Sequence, residues 1–224
     1  MVTGANRGTG AAIAEQFDAR GARVLAVGRT RTSAEFDFVD CDLRSRDSVC
    51  AAIESIRQQV DSIDALVVNA AVRDIRLICD MDFDSWTDSL MVNLSSQVMI
   101  VSALLPLIRA AGGIVIFVGS HAGSRFFEGG GQYSAAKAAL KAVSETLLLE
   151  ERANGVRCTL VSPGAISNRD WDDSEYKMAP GSVAALVAYL ALDIPADMCV
   201  GEVEIRPSRL AGTESGGISR LQQV

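Results

Sequence analysis

Strand-like and helix-like segments alternate along almost the whole chain. Short runs rich in β-branched and apolar residues lie at 24–27, 36–39, 65–69, 114–118, 156–161 and 202–205, with helical spacing at 10–20, 45–60, 84–109, 132–154 and 182–192 between them. Strands separated by helices pair in parallel through crossovers, and a parallel sheet must be covered on both faces. The pattern therefore predicts an α/β fold on a doubly wound parallel sheet. Asp84 and Ser182 stand where helix N-caps are expected, and Gly21 and Gly155 where helices stop. With 224 residues, no Pro/Ser-rich divider and no internal repeat, residues 1–224 are expected to form one domain.

Two departures from a regular alternation stand out. Between Gly28 and Phe36 there is room for a turn but not for a crossover helix, so one sheet face should be thinly covered there. The strand leading into Thr3 and Gly4 is cut to a residue or two, although the first strand of such a sheet is central. Either the native start lies upstream or the fold tolerates a stub, and a version extended by apolar residues should be the more stable.

Composition removes several classes of function. The net charge of −7 comes without a basic stripe, which argues against nucleic acid as a partner. Cys41, Cys50, Cys79, Cys158 and Cys199 are scattered and never form a CxxC pair, and His121 is the single histidine, so neither zinc nor any other metal is expected. Reduced thiols, and no basic-then-apolar leader before the first motif, predict a cytoplasmic protein. The apolar run within 98–108 is broken by Ser102 and Pro106 and reads as a buried helix too short to span a bilayer, so no membrane association is expected.

The segment Thr3-Gly4-Ala5-Asn6-Arg7-Gly8-Thr9-Gly10 runs straight into the helical pattern beginning at Ala11. Glycines in such a loop permit positive φ, let backbone approach a pyrophosphate, and leave the free N–H groups of a helix N-terminus facing its oxygens. A glycine-rich turn without a ligand fits the same residues. At the end of the second strand a dinucleotide fold sets a residue beside the adenosine ribose, where an acid favours a free 2′-OH and an arginine a 2′-phosphate. This chain has Arg29, which favours NADP(H) and leaves NAD(H) as the alternative.

Tyr133-Ser134-Ala135-Ala136-Lys137 sets a phenol and an ammonium four residues apart, on one helix face. Ser120 lies at the end of the strand 114–118 and Asn93 in the helix before it. Each alone could be structural: a half-buried tyrosine, a solvated lysine, a turn serine, a satisfied amide. Together with the spacing Gly-x-x-x-Gly-x-Gly after Thr3, they resemble the classical short-chain dehydrogenases/reductases, and the resemblance runs from Thr3 to about Arg206.

The resemblance implies a Rossmann-like sheet of order 3-2-1-4-5-6-7, here with a truncated first strand. It makes Tyr133 the proton donor, Ser120 the stabiliser of the reacting oxygen, Lys137 the ribose-holding ammonium, and Asn93 the holder of a water leading to that lysine. For the cofactor it adds Gly4, Gly8, Thr9 and Gly10 in the loop, and Arg7 as a second phosphate partner. It also adds Asp42 and Leu43 at the adenine, Asn69, Ala70 and Ala71 near the ribose (Ala71 where the family usually has glycine), and Pro163, Gly164 and Ile166 beside the carboxamide.

The chemistry suits these residue types, because a carbonyl receiving hydride develops alkoxide charge that needs a proton and a hydrogen bond. A phenol of ordinary pKa ~10 would need lowering by roughly two to three units to work at neutral pH, with Lys137 and oxidised nicotinamide as sources of charge. His121 next to Ser120 suggests a serine hydrolase, but no G-x-S-x-G elbow surrounds it, and a packing role is expected instead.

The function implied is an NADPH-dependent ketoreductase of a small-molecule carbonyl or alcohol, of 3-oxoacyl or hydroxy-acid kind. An NAD-linked alcohol dehydrogenase and a non-catalytic dinucleotide-binding regulator are the alternatives. Arg73, Arg125 and Arg169 are candidate anion contacts for the substrate. The helix 132–154, small or apolar almost all round, should bury one face on the sheet and another against a partner, giving a homodimer or homotetramer.

Overall fold

The strand Ile114–Val118 is buried at every position, which is the signature of a parallel strand covered on both faces. In the computed structural model, which describes residues 1–31, 33–168, 172 and 174–209, it is β5 of a seven-stranded sheet. The strands β1 (Val2–Thr3), β2 (Leu25–Gly28), β3 (Asp37–Asp40), β4 (Ala65–Val68), β5, β6 (Arg157–Pro163) and β7 (Glu202–Ile205) run in the order 3-2-1-4-5-6-7. Every pairing is parallel. The edge strand β7 has only half-buried and exposed residues in alternation.

The helices α1 (Gly8–Asp18) and α6 (Pro180–Leu192) cover one face, where Ile13, Phe17, Ile116 and Val187 share a core. The helices α2 (Arg46–Gln59), α4 (Ser96–Ala111) and α5 (Gly131–Glu151) cover the other, around Ile56, Leu66, Leu104, Phe117 and Leu140. Among the described residues no helix joins β2 to β3. Half-buried Phe36 and Phe38 pack onto the α1/α6 core there instead, over a water-sized cavity of about 10 Å³.

Several boundaries differ from those expected, each for a local reason. The segment 84–109 is not one regular helix but α3 (Phe83–Leu90), a π turn (Met91–Ser95) and α4. Its N-cap is Asp82, whose carboxylate accepts from Ser85 N at 2.7 Å, and not Asp84. Because the π turn joins the pieces, Phe83–Ala111 is 29 residues long and apolar enough to cross a membrane, contrary to the expectation that the run falls short. Its Ile100, Leu104 and Ile108 are nevertheless in the core beneath the sheet. Ser182 is not a cap either, since α6 starts two residues earlier with Pro180 in its first turn, where the missing N–H costs nothing. Gly21 and Gly155 do end their helices in left-handed backbone, with φ +78° and +73°.

The first strand is the expected stub, yet it is paired on both sides, Val2 with Ala26 and Val67. The Met1 ammonium donates to Ala65 O at 2.8 Å, and Val67 N donates to Met1 O at 2.9 Å.

Candidate active site

Parallel strands aim all their C-terminal ends at one edge of the sheet. Gly4 follows β1, Arg29 follows β2, Asp42 follows β3, Asn69 follows β4, Ser120 follows β5, and Gly164 follows β6. Between β1 and β4 the strand order reverses, which opens a crevice at that edge.

The glycine loop is held there by its neighbours. Thr3 Oγ1 accepts from Asn69 N at 2.9 Å and Ala70 N at 3.2 Å, and donates to Gln97 Oε1 at 3.3 Å. Gln97 Nε2 in turn donates to Ala70 O at 2.5 Å. The Asn69 amide donates to Thr3 O at 3.1 Å, so its side chain clamps the loop from below. Gly4 has φ +68°, and a Cβ on it would lie 2.8 Å from Ala70 Cα. A Cβ on Gly10 would lie 2.1 Å from Gly4 O, so only glycine lets α1 start this close to β1. Gly8 has φ +53°, and Arg7 precedes α1 without a side-chain cap.

The donors at the start of α1 are met from the far side of the site. Asn168 Oδ1 accepts from Thr9 N at 3.0 Å and from Thr9 Oγ1 at 2.7 Å. Arg7 and Arg29 are exposed and have no hydrogen bond or ion pair among the described residues. A cradle that any Cβ would fill, a helix N-terminus and two uncommitted guanidinium groups fit a dinucleotide phosphate.

Ser120, Tyr133 and Lys137 come together, with Ser120 following β5 at the same edge of the sheet. Ser120 accepts from Ala122 N at 3.1 Å, opening a one-turn 3₁₀ helix, and shares a hydrogen bond with the Tyr133 phenol. Burial holds that phenol above its ordinary pKa, while the Ser120 hydrogen bond and the positive charge of Arg73 pull the other way. Desolvation outweighs the Ser120 hydroxyl and the Arg73 charge together, so the phenol is raised and not lowered as expected. Lys137 Nζ lies 5.8 Å from the Tyr133 ring centroid and donates to Val118 O at 2.8 Å. Burial pushes its ammonium down to about 8.

Asn93 is at the middle of the π turn. Its Oδ1 accepts from Val72 N at 2.9 Å, and its Nδ2 donates to Val72 O at 2.9 Å and Ser89 Oγ at 3.1 Å. Its side chain thus staples the segment after β4 to the helix.

The remaining predicted residues occupy varied settings. Asp42 Oδ1 accepts from Arg44 N at 3.0 Å, an Asx turn just ahead of α2. Leu43 is buried, and its carbonyl accepts from Ser96 Oγ at 2.7 Å. Ala71 is exposed and Ala70 half-buried at the crevice edge. Pro163 closes β6, Gly164 N donates to Ile205 O at 2.8 Å, and Ile166 bridges to Met178 while packing on the α1/α6 core. Arg73 lies 5.5 Å from the Phe127 ring centroid, and Arg125 is exposed. Arg169 lies outside the described residues. His121 Nε2 is 3.0 Å from Glu204 Oε1, a contact between the turn after β5 and the edge strand. Sequence reasoning missed Asn168, two residues past Ile166, and Gln97, whose bonds to Thr3 and Ala70 no local pattern announces.

The chain that forms this edge matches known proteins over most of its length. Residues 1–178 match the short chain dehydrogenase family. The 3-oxoacyl-(acyl-carrier-protein) reductase of Salmonella typhimurium is 34% identical over 176 residues, 74% of this chain and 72% of the relative. An uncharacterized oxidoreductase of Staphylococcus saprophyticus is 28% identical and covers 92% of this chain and 96% of its own. Among solved structures, a short chain dehydrogenase/reductase family protein superposes with a TM-score of 0.81 at 27% identity, covering 91% of this chain and 93% of that one. An alcohol dehydrogenase of the archaeon Thermococcus sibiricus, complexed with 5-hydroxy-NADP, shares the fold with a TM-score of 0.85 at 23% identity, over 94% of this chain and 97% of that one. The chain belongs to the short-chain dehydrogenase/reductase family. It is an oxidoreductase, of a family that binds NAD(P)(H) and acts on small molecules.

Proposed function

We propose that the protein is an NADPH-dependent ketoreductase acting on a 3-oxoacyl or related hydroxy-acid carbonyl. The observation that carries this reading is the Ser120 hydroxyl acting on the Tyr133 phenol with Lys137 buried beside the ring, Ser120 following β5 at the same sheet edge as the glycine loop after β1. When bound, the cofactor supplies the hydride. The backbone of Gly4, Gly8, Thr9 and Gly10 would hold its diphosphate, Arg7 and Arg29 its 2′-phosphate, Asp42 and Leu43 its adenine, and Asn69–Ala71, Pro163, Gly164 and Ile166 its nicotinamide half. The relatedness to a 3-oxoacyl-(acyl-carrier-protein) reductase supports the substrate class.

Tyr133 is a neutral phenol at neutral pH, its pKa raised further by burial, and a neutral phenol is the form that can give a proton to a carbonyl oxygen. Ser120 holds that oxygen through its hydroxyl. Lys137, a buried ammonium whose recorded acceptor is the Val118 carbonyl, has donors left for the ribose. Asn93 holds the segment after β4 through Val72 and would position the water that reconnects the lysine to solvent. A non-catalytic regulator would have no use for this group.

The test is turnover with 3-oxoacyl thioesters and activated ketones, run in parallel with NADPH and NADH. Faster NADPH oxidation is expected, and Tyr133→Phe should cut it by about a hundredfold to ten-thousandfold while NADPH affinity stays within a few-fold. Substantial residual turnover in that variant would remove Tyr133 as the acid. The protein is further proposed to work in the cytoplasm, as a homodimer or homotetramer joined through α4 and α5.

A further inference from the structure

We infer that Asn168 is a built-in competitor of the cofactor, a self-cap that occupies the diphosphate position on α1 and must be displaced before a dinucleotide can bind. The inference rests on the reading of the Thr3–Gly10 loop as the diphosphate cradle. An acceptor atom already sits on the donors such a phosphate needs. Asn168 Oδ1 takes both Thr9 N, at 3.0 Å, and Thr9 Oγ1, at 2.7 Å. It also fills the space over Gly8, where a Cβ would come within 2.8 Å of the same oxygen. The helix has no cap of its own to do this work, because Arg7 makes no side-chain cap and the first turn contains no acid. One carbonyl oxygen from the opposite wall therefore does what an N-cap side chain does elsewhere.

The contact is built to be strong enough to hold and weak enough to leave. Asn168 is exposed and follows a short bridged stretch, where Ser167 N donates to Met178 O at 3.0 Å and Asn168 N to Ile166 O at 3.0 Å. Its oxygen is a neutral acceptor, whereas a diphosphate brings negative charge to the positive end of the helix, and charge-assisted bonds are the stronger. A carboxylate at this place would be isosteric but charged, a better cap and a far more stubborn competitor.

The test uses the full chain with two substitutions, titrated with NADPH and NADH by fluorescence and melted without cofactor. Asn168→Asp is expected to raise the melting temperature of the free protein and to weaken NADPH binding by tenfold or more, the loss shrinking in high salt. Asn168→Ala is expected to lower that melting temperature while leaving NADPH affinity equal or up to about tenfold tighter, because a cap with a Cβ only cannot compete. Unchanged affinity in Asn168→Asp, or weaker binding in Asn168→Ala, would overturn the inference, since Asn168 would then be idle or a cofactor ligand. If the wild type itself binds neither dinucleotide, the cradle reading has failed, and the melting shifts alone still report whether Asn168 caps α1.

Discussion

Lys137 shows what a single residue adds that a motif cannot. From the sequence it is the fourth residue after Tyr133 on a helix face, and either a solvated or a catalytic lysine. In the fold it is buried, and loss of solvent pushes its pKa down from 10.5 to about 8. The linkage sign follows. Below about pH 8 the ammonium is charged in both folded and unfolded chains and its burial penalty is fully present. As pH rises from about 8 to 10.5 the folded form loses its proton first, and the penalty, about 3 kcal/mol, is relieved. The stability of the wild type relative to Lys137→Met, followed by urea unfolding from pH 7 to 10.5, should therefore rise with pH over that window; a flat difference would mean the ammonium is not desolvated. Arg29 was equally legible as a residue type, and the fold leaves it exposed without a partner among the described residues. Arg29→Asp should move cofactor preference from NADPH toward NADH by about tenfold to a hundredfold, read as the ratio of the two dissociation constants. Asn168 and Gln97 were illegible because their work is done by long-range contacts, across 159 and 94 residues, and no local spacing encodes those.

At the level of elements, periodicity located β2 to β7 and the six α-helices, α3 and α4 as a single run, but not the two-residue β1, the short 3₁₀ turns or the element ends. Residues 84–109 carry an unbroken helical period, and nothing in that period distinguishes an α turn from the π turn at Met91–Ser95, which tertiary bonds from Asn93 to Val72 accompany. Two acids two residues apart, Asp82 and Asp84, compete as caps, and the winner is decided by which carboxylate reaches Ser85 N. The glycines can be sorted by mechanism. Gly10→Ala should cost about 3 kcal/mol or more, because the new methyl meets Gly4 O and the Asn69 amide and drives α1 off β1. Gly21→Ala meets no atom within 4 Å, so its cost is the left-handed backbone alone, about 1 kcal/mol. Chemical unfolding of the two variants should rank them in that order, and equal losses would mean that the Gly4–Gly10 approach can relax.

For the whole molecule, the alternation specified a doubly wound sheet, while the strand order came from the resemblance, because a β-strand pattern does not name its neighbours. The expectation that α5 buries two faces separates into a part the monomer satisfies and a part it leaves open. Ala136, Leu140, Ser144 and Leu147 are buried against the sheet, but Ala135, Ala142 and Leu149 are exposed. On the neighbouring α4, Met99 is 58% exposed and Leu149 on α5 is 60% exposed, and residues of both helices, Val98, Leu105, Val143 and Thr146, line one groove. Large apolar side chains left this open on adjacent helices are surface that a second copy can bury, at roughly 1.5–3 kcal/mol for each one fully covered. A two-fold contact would bring the same groove from both subunits together, so one substitution counts twice. Ala142→Arg, at an exposed position of the groove, should leave the fold intact and obstruct the contact. Light scattering after gel filtration should give the wild type two or four times the 23.7 kDa of one chain, and the variant 23.7 kDa with an unchanged circular dichroism spectrum. Melting temperature should rise with protein concentration only for the wild type, as mass action requires of a coupled folding and association. A wild type that stays at the mass of one chain would show that this face is solvent surface, and that the apolar α5 serves its own sheet alone.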